Sequence, residues 1–298
     1  MAKIATPFPW FGGKAAHTAW ILRYFPPHTR YIELFGGSGA LLFAKDPVPY
    51  EVYNDLDEGL IGFFRVLRDP ALFPEFFRRV QLWPYSRAEF EEARQTWADQ
   101  TDPVERALRW YVVARQAFSG NFPTGGFKVA YHETANGRAA DVHKWQSALQ
   151  ALPAFHARIL RVVIEHQDWR DLLPLYDTPD TLWYCDPPYV PETRRSGTYA
   201  HEMTAADHAA LVDRLVTVTG MVILSGYDHP LYDPLVQAGW RKVVKDVPLR
   251  ANNRRLTTGQ RRTEVLWINP AAWQRQSQIT WEEVIADGAS AVDAPFAP

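Results

Sequence analysis

Short apolar bursts closed by Gly, Pro, Asp or Asn recur along this chain, and their length and β-rich make-up predict strands. The first, Tyr31 to Leu34, runs into a glycine-rich turn, and the second, Glu51 to Tyr53, ends in Asn54-Asp55. Further strands are predicted at Val162 to Glu165, Leu182 to Cys185, Val222 to Ser225, Arg241 to Val247 and Glu264 to Ile268. Helical spacing fills several of the gaps. From Ala205 to Val218, residues Leu211, Leu215 and Val218 recur at helical intervals, with Thr204 placed as a cap. A short helix is expected within Asp228 to Gln237. Strands alternating with helices predict an α/β fold, a sheet of largely parallel strands with helices on both faces.

The middle of the chain follows another pattern. From Glu58 to about Leu160 it reads as mostly helical, interrupted at Phe118 to Arg138 by a stretch rich in Gly, Asn, Thr and Lys. That stretch has too much turn chemistry for a helix and is long for a plain connection. The expected organisation is a discontinuous α/β domain made of 1–57 and 158–270, an inserted helical domain at 58–157 carrying a functional loop, and a C-terminal tail at 271–298. One short helix is expected near Trp281 to Ile285, with fraying beyond it.

Composition narrows the class. Of 298 residues, 47% are hydrophobic and 22% charged, which excludes wholesale disorder. A single cysteine, Cys185, excludes an internal disulfide and a multi-Cys zinc cluster. The nine His are scattered without metal-ligand spacing, His201 and His208 reading as surface residues, so no metal is expected. Apolar runs are too short to span a membrane, and the start, MAKIATPFPWFGGK, lacks a signal-peptide core; a cytoplasmic protein is the expectation. The net charge of -2 leaves phosphate binding to local patches.

Three segments carry chemistry. Glu33-Leu34-Phe35-Gly36-Gly37-Ser38-Gly39 is entered by a strand and left by a helix, and its glycines permit close backbone approach to a ligand. The next strand ends at Asn54-Asp55-Leu56-Asp57, where a carboxylate suits the two hydroxyls of a ribose. The dinucleotide pattern is absent, since position 42 is Leu. Alone, the glycines read equally as a turn beside a surface acid. Asp186-Pro187-Pro188-Tyr189 follows a strand directly. Two prolines remove two N–H donors, an ionised Asp only accepts, and Tyr189 adds a flat ring. Acceptors beside a ring suit the exocyclic amine of a planar base, although a rigid proline turn also accounts for the residues. Pro7-Phe8-Pro9-Trp10-Phe11-Gly12-Gly13-Lys14 combines aromatics, paired glycines and a lysine, and reads as core or as cofactor clamp.

Taken in order, PFPWFGGK, ELFGGSGALLF, YNDLD and CDPPYV resemble the Dam-type (D12 class) DNA adenine N6-methyltransferases, over roughly Pro7 to Asn269. The resemblance implies a Rossmann-like S-adenosylmethionine-dependent domain with a helical target-recognition domain inserted after the second strand. It implies cofactor contacts from Trp10, Lys14, Phe35, Gly37, Gly39, Asp55, Asp168, Trp169 and Asp186, with Asp55 on the ribose and Asp168 on the adenine amine. Catalysis would fall to Asp186, Pro187, Pro188 and Tyr189 on a flipped-out adenine of DNA. Trp169 stands where the family often has Phe. No obligate protein partner is implied, and a cognate restriction endonuclease is neither implied nor excluded.

Nucleic-acid contact has local support. Between Arg241 and Arg262 there are eight Lys or Arg against one acid, Asp246. This is a footprint for phosphates or a solvated basic loop. From that segment Arg254 and Arg255 are candidate DNA contacts; Arg115 to Gly120 and Gly125 to Lys128 resemble the family's recognition segment, which adds Arg115 and Ser119, and the loop Ser119 to Arg138 adds Asn121, Lys128 and Asn136, unless it is a mobile surface hairpin. The family often has Phe-Asn-Gly where this chain has Phe118-Ser119-Gly120, so the family's GATC specificity is not carried over. An RNA base amino-methyltransferase and a catalytically inactive DNA-binding protein are the competing readings.

Overall fold

The computed structural model describes residues 6–118, 122, 125–129, 137, 139–193, 200–248 and 261–277. Seven strands, β1 (Arg30–Glu33), β2 (Tyr50–Asn54), β3 (Val163–Glu165), β4 (Thr181–Cys185), β5 (Met221–Tyr227), β6 (Arg241–Pro248) and β7 (Arg261–Ile268), form one sheet in the order β3-β2-β1-β4-β5-β7-β6. Each contains or closely matches a strand expected from the sequence. β2–β3, β1–β4 and β4–β5 pair in parallel, while β7 runs antiparallel to both β5 and β6. Two reversals restore direction, so β6 points the same way as β5 and only β7 departs from the parallel pattern among these pairs. Every residue of β4 is buried, as expected for a parallel strand covered on both faces.

The chain packs into two compact units: the described parts of 1–18, 35–168 and 196–201, and those of 19–34, 169–195 and 202–298. The first holds β2, β3 and the helices α2 (Ala40–Ala44), α3 (Glu58–Arg68), α4 (Phe73–Gln81), α5 (Arg87–Thr96), α6 (Pro103–Gln116) and α7 (Ala140–Ile159). A short helix, α1 (Thr18–Ile21), precedes β1. Asp57 begins α3 by accepting from Leu60 N–H at 2.8 Å, and Asp102 begins α6 by accepting from Val104 N–H at 3.0 Å. An aromatic core joins these helices: Phe63 stacks on Tyr111 at 5.1 Å, and Phe8 meets Trp110 edge-on at 5.0 Å. Within the stretch expected as a loop, Phe118 N–H donates to Gly126 O at 2.8 Å and Lys128 N–H to Gln116 O at 2.9 Å.

The second unit carries β1, β4, β5, β7 and β6 with helices α8 (Trp169–Tyr176), α9 (Ala205–Leu215), α10 (Asp233–Gln237) and α11 (270–277). Thr204 caps α9 as expected, in a full capping box with Asp207. His208 is a correction to the sequence reading. It is 0% exposed and hydrogen-bonded to the Tyr232 hydroxyl at 3.0 Å, because positions 208, 211, 212 and 215 share the inward helix face. His201 is exposed, as expected. The helix over 270–277 was not foreseen. Asn269 starts it by accepting from Ala272 N–H at 2.9 Å, and the same Oδ1 accepts from Val222 N–H at 2.9 Å, tying the helix to β5. The helix expected near 281–285 lies outside the described residues.

One buried ion cluster ties the first unit together. Glu51 on β2 accepts from Arg158 Nη1 at 2.6 Å and Nη2 at 2.8 Å, and from Lys45 Nζ at 2.6 Å; all three side chains are at most 5% exposed. Burial pushes the Glu51 carboxyl upward, but the hydrogen bonds and charges of Arg158 and Lys45 outweigh it and hold the group below its ordinary range. A folded pKa below the unfolded one gives stability that is present above the unfolded value and lost as pH falls through the folded one. Glu51→Gln should therefore lower unfolding free energy by about 3 kcal/mol near neutral pH, since it strands two buried cations. Between about pH 5 and pH 3 the variant should lose less further stability than the parent, as urea unfolding would show.

Candidate active site

Of the predicted cofactor residues, all but Trp169 and Asp186 lie in the first unit, and Asp186 to Tyr189 lie in the second. In the first, the glycine turn is folded back on β2. Gly36 N–H donates to Asn54 O at 2.8 Å, Gly39 N–H to Gly36 O at 2.9 Å, and the Tyr53 hydroxyl donates to Gly37 O. Gly37 and Gly39 have φ of 50° and 65°, in the left-handed region that favours glycine. Gly36 is required for another reason: a Cβ there would lie 2.1 Å from the Tyr53 ring. A Cβ on Gly37 would lie 2.9 Å from Trp10 Cδ1, so Trp10 packs directly over the turn.

Asp55 fastens this cradle. Its Oδ2 accepts from Gly37 N–H at 2.8 Å and its Oδ1 from Asp57 N–H at 2.9 Å. Burial raises the carboxyl above its ordinary range, against the pull of those two donors. Each carboxylate oxygen accepts two hydrogen bonds, so one position on each suits a diol. Lys14 is buried and donates to Gly12 O at 3.1 Å. Phe35 and Asp168 are half-buried. Asp168 follows Gln167, whose N–H and C=O both bond the Asn54 side chain, at 2.9 and 3.1 Å, so the ends of β2 and β3 are locked together.

In the second unit, Asp186 leaves the end of β4 half-buried, and its Oδ1 accepts from Ser225 Oγ at 2.7 Å. Tyr189 is 5% exposed; its hydroxyl donates to Glu264 Oε2 at 2.9 Å, and its ring meets Tyr227 edge-on at 4.5 Å. Burial and the charge of Asp186 push both Tyr184 and Tyr189 far above the ordinary phenol range. Pro187 is buried and Pro188 half-buried. Trp169 opens α8, 5% exposed, with the Arg170 guanidinium 4.5 Å from its ring centre. Cys185 is a buried core thiol, pushed upward by burial and by Asp186.

Ser225, Tyr184 and Glu264 were missed in the sequence. Their signal was a polar or acidic residue inside a strand otherwise apolar enough to be buried. Among the nucleic-acid candidates, Arg115 donates to Pro7 O and Lys144 O, both at 3.3 Å, and Lys128 lies 3.4 Å from the buried Asp141. Ser119, Asn121, Asn136, Arg254 and Arg255 lie outside the described residues. Of the basic segment, Arg241 covers Trp273, Lys242 pairs with Asp228 at 2.7 Å and Lys245 covers Trp20. Among the described residues, no group of three or more His, Cys, Asp or Glu would hold a metal ion. No helix described is long and apolar enough to cross a membrane.

A family model for D12 class N6 adenine-specific DNA methyltransferases matches residues 10–231, which take in the glycine cradle, Asp55 and the whole Asp186–Tyr189 turn. The chain belongs to this family. It is also 26% identical over 228 residues, 68% of its length and 71% of the relative's, to a DNA adenine methylase of Haemophilus influenzae. It is an enzyme that methylates adenine N6 in DNA.

The cradle of this methyltransferase makes a contrast that stability measurements can read. Gly36→Ala should cost about 1–3 kcal/mol by forcing Tyr53 aside. Gly62→Ala, in α3 with nothing within 4 Å of the added Cβ, should gain about 0.5–1 kcal/mol. Thermal unfolding of the two variants beside the parent checks the pair.

Proposed function

We propose that the methyl donor is S-adenosylmethionine and that the cradle of the first unit holds it. The fit rests on the chemistry of the donor set: a glycine turn with no room for side chains, Trp10 packed over it, and a carboxylate, Asp55, with acceptor capacity for a ribose diol. When bound, the cofactor supplies an electrophilic methyl group on a sulfonium. Asp168 is assigned to its adenine amine, with Lys14, Phe35 and Trp169 as neighbours.

The observation that carries the assignment of catalysis is the Asp186 carboxylate, fixed by Ser225 at the end of a fully buried strand and followed by two prolines. The target base must leave the duplex to be reached. Its amine is a weak nucleophile, because the lone pair is delocalised into the ring. Asp186 and the Pro187 carbonyl accept the two N–H groups, which localises density on nitrogen and aims it. Pro188 keeps the turn rigid. Tyr189, held by Glu264 and Tyr227, offers its ring to the base. Positioning and electrostatics supply the rate, and no side chain acts as a nucleophile.

The helical segment 58–157 is proposed as the target-recognition domain. The stretch around Ser119, Asn121, Lys128 and Asn136 would face bases or phosphates, and Arg254 and Arg255 would face the backbone. Arg115, spent on two carbonyls, supports the recognition segment rather than reading it.

Purified protein, S-adenosylmethionine and unmethylated genomic DNA test the reading, with the digested nucleosides followed by mass spectrometry. N6-methyldeoxyadenosine is expected with the parent. Asp186→Ala should lower turnover by about 1,000-fold or more while cofactor affinity changes little. Asp55→Ala should weaken cofactor binding by about 10- to 100-fold, from the loss of a charged acceptor; calorimetric titration reads it. Full turnover in Asp186→Ala would overturn the mechanism.

A further inference from the structure

A line of buried hydroxyls stands behind Asp186. Ser225 on β5 is 1% exposed and donates to Asp186 Oδ1 at 2.7 Å. Tyr184 on β4 is equally buried, and its hydroxyl lies 2.9 Å from the same Ser225 Oγ. Distance alone leaves the donor of that second bond open, but proton counting decides it. An ionised carboxylate only accepts, and a serine hydroxyl has one proton to give. With the Ser225 proton on Asp186, the Tyr184 proton must point to Ser225. The phenol keeps that proton, because burial and the nearby carboxylate oppose its ionisation. The alternative acceptor for Ser225, the Cys185 carbonyl at 3.4 Å, is at the long limit of a hydrogen bond.

We infer that Ser225, oriented by Tyr184, is a positioning residue for methyl transfer, fixing the Asp186 carboxylate in its ionised, accepting form and in one rotamer. The inference rests on the role of Asp186 proposed above. A protonated Asp186 would carry an O–H of its own and lose half its value as an acceptor for a base amine. The hydroxyl line opposes that change, since donation to the charged form favours it. Other ionisable groups share the surroundings: Cys185 on β4, Tyr189 in the turn, Tyr232 after β5, Glu264 on β7 and Glu33 on β1. The two glutamates and Asp186 are acids, and the Ser225 hydroxyl is a neutral donor among them that favours charge on Asp186.

Ser225→Ala and Tyr184→Phe test the inference, each removing one hydroxyl and little volume. Ser225→Ala should lower kcat by about 10- to 100-fold, leave KM for S-adenosylmethionine within about twofold, and move the acid limb of the kcat–pH profile upward. Tyr184→Phe should move both in the same direction by less. Carbon-13 NMR of aspartate-labelled protein gives a readout that needs no turnover. The Asp186 carboxyl signal, identified by its loss in Asp186→Asn, should titrate at higher pH in Ser225→Ala than in the parent. An unchanged titration and acid limb would overturn the inference, even if kcat fell, because that pattern marks a purely structural serine. If the parent methylates no adenine in DNA, the reading of Asp186 fails, and the NMR titration still decides whether Ser225 holds its charge.

Discussion

A carboxylate taken out of water keeps its charge only where donors replace the water it has lost. That constraint shapes the interior polar clusters of this methyltransferase, and the kind of donor separates structure from chemistry. Glu51 receives two cations, and the resulting cluster pins α7 and the segment after α2 to β2. Asp55 receives two backbone N–H groups, one of them from the glycine turn itself. Asp186 receives a serine hydroxyl, and Glu264 a tyrosine hydroxyl. Cations neutralise an acid and spend it. Amides and hydroxyls hold an acid in place without adding a counter-charge and leave it able to accept more. Asp55 and Asp186, the acids assigned to cofactor and base, each hold donors of the second kind.

The same logic explains the backbone around them. Strand ends expose carbonyls and amides whose ladder partners have run out, and each cluster uses that supply. Gly36 and Gly37 turn their amides onto Asn54 and Asp55, which is feasible only because neither carries a Cβ: one would collide with Tyr53, the other with Trp10. After β4 the chain does the opposite. Pro187 and Pro188 delete two amides, so that turn offers acceptors, whereas the glycine turn spends its amides on fixing itself and Asp55. One unit thus presents an acid braced by backbone amides, and the other an acid braced by a hydroxyl.

Much of this was legible in the sequence, for physical reasons. Strand positions followed from short apolar runs ending in turn residues, and α9 from its Thr204 cap and apolar spacing, because both are local signals. What escaped was decided by tertiary contact. His208 looked like a surface residue until the helix face it shares with Leu211 and Leu215 turned inward onto Tyr232. The helix at 270–277 was hidden inside a composition that reads as tail, although Asn269-Pro270 is a fair start signal of cap and first-turn proline. The contacts of Arg115 with two carbonyls and of Lys128 with the buried Asp141 were likewise invisible in the sequence, because they join distant parts of the chain. Ser225 and Glu264 were passed over because a lone polar residue in a strand carries no motif. Only the registry of β4, β5 and β7 brings them to Asp186 and Tyr189.

The donor pattern around Asp186 also bears on which base the enzyme can use. A carboxylate already fixed by a hydroxyl from behind, beside a turn stripped of amides, can satisfy N–H groups and cannot satisfy a carbonyl. Adenine presents two amine hydrogens at the position where thymine presents an oxygen. Placing that oxygen against an ionised carboxylate leaves two acceptors face to face, a mismatch of the sort that costs about 1–3 kcal/mol or more when desolvated. On the role proposed for Asp186, discrimination against thymine needs no dedicated contact, because it follows from keeping that carboxylate charged. Were Asp186 neutral, its proton would let it donate to such an oxygen, and both the aim of the amine and the rejection of the wrong base would weaken together. On that proposed role, reactivity and base choice are two readings of one protonation state.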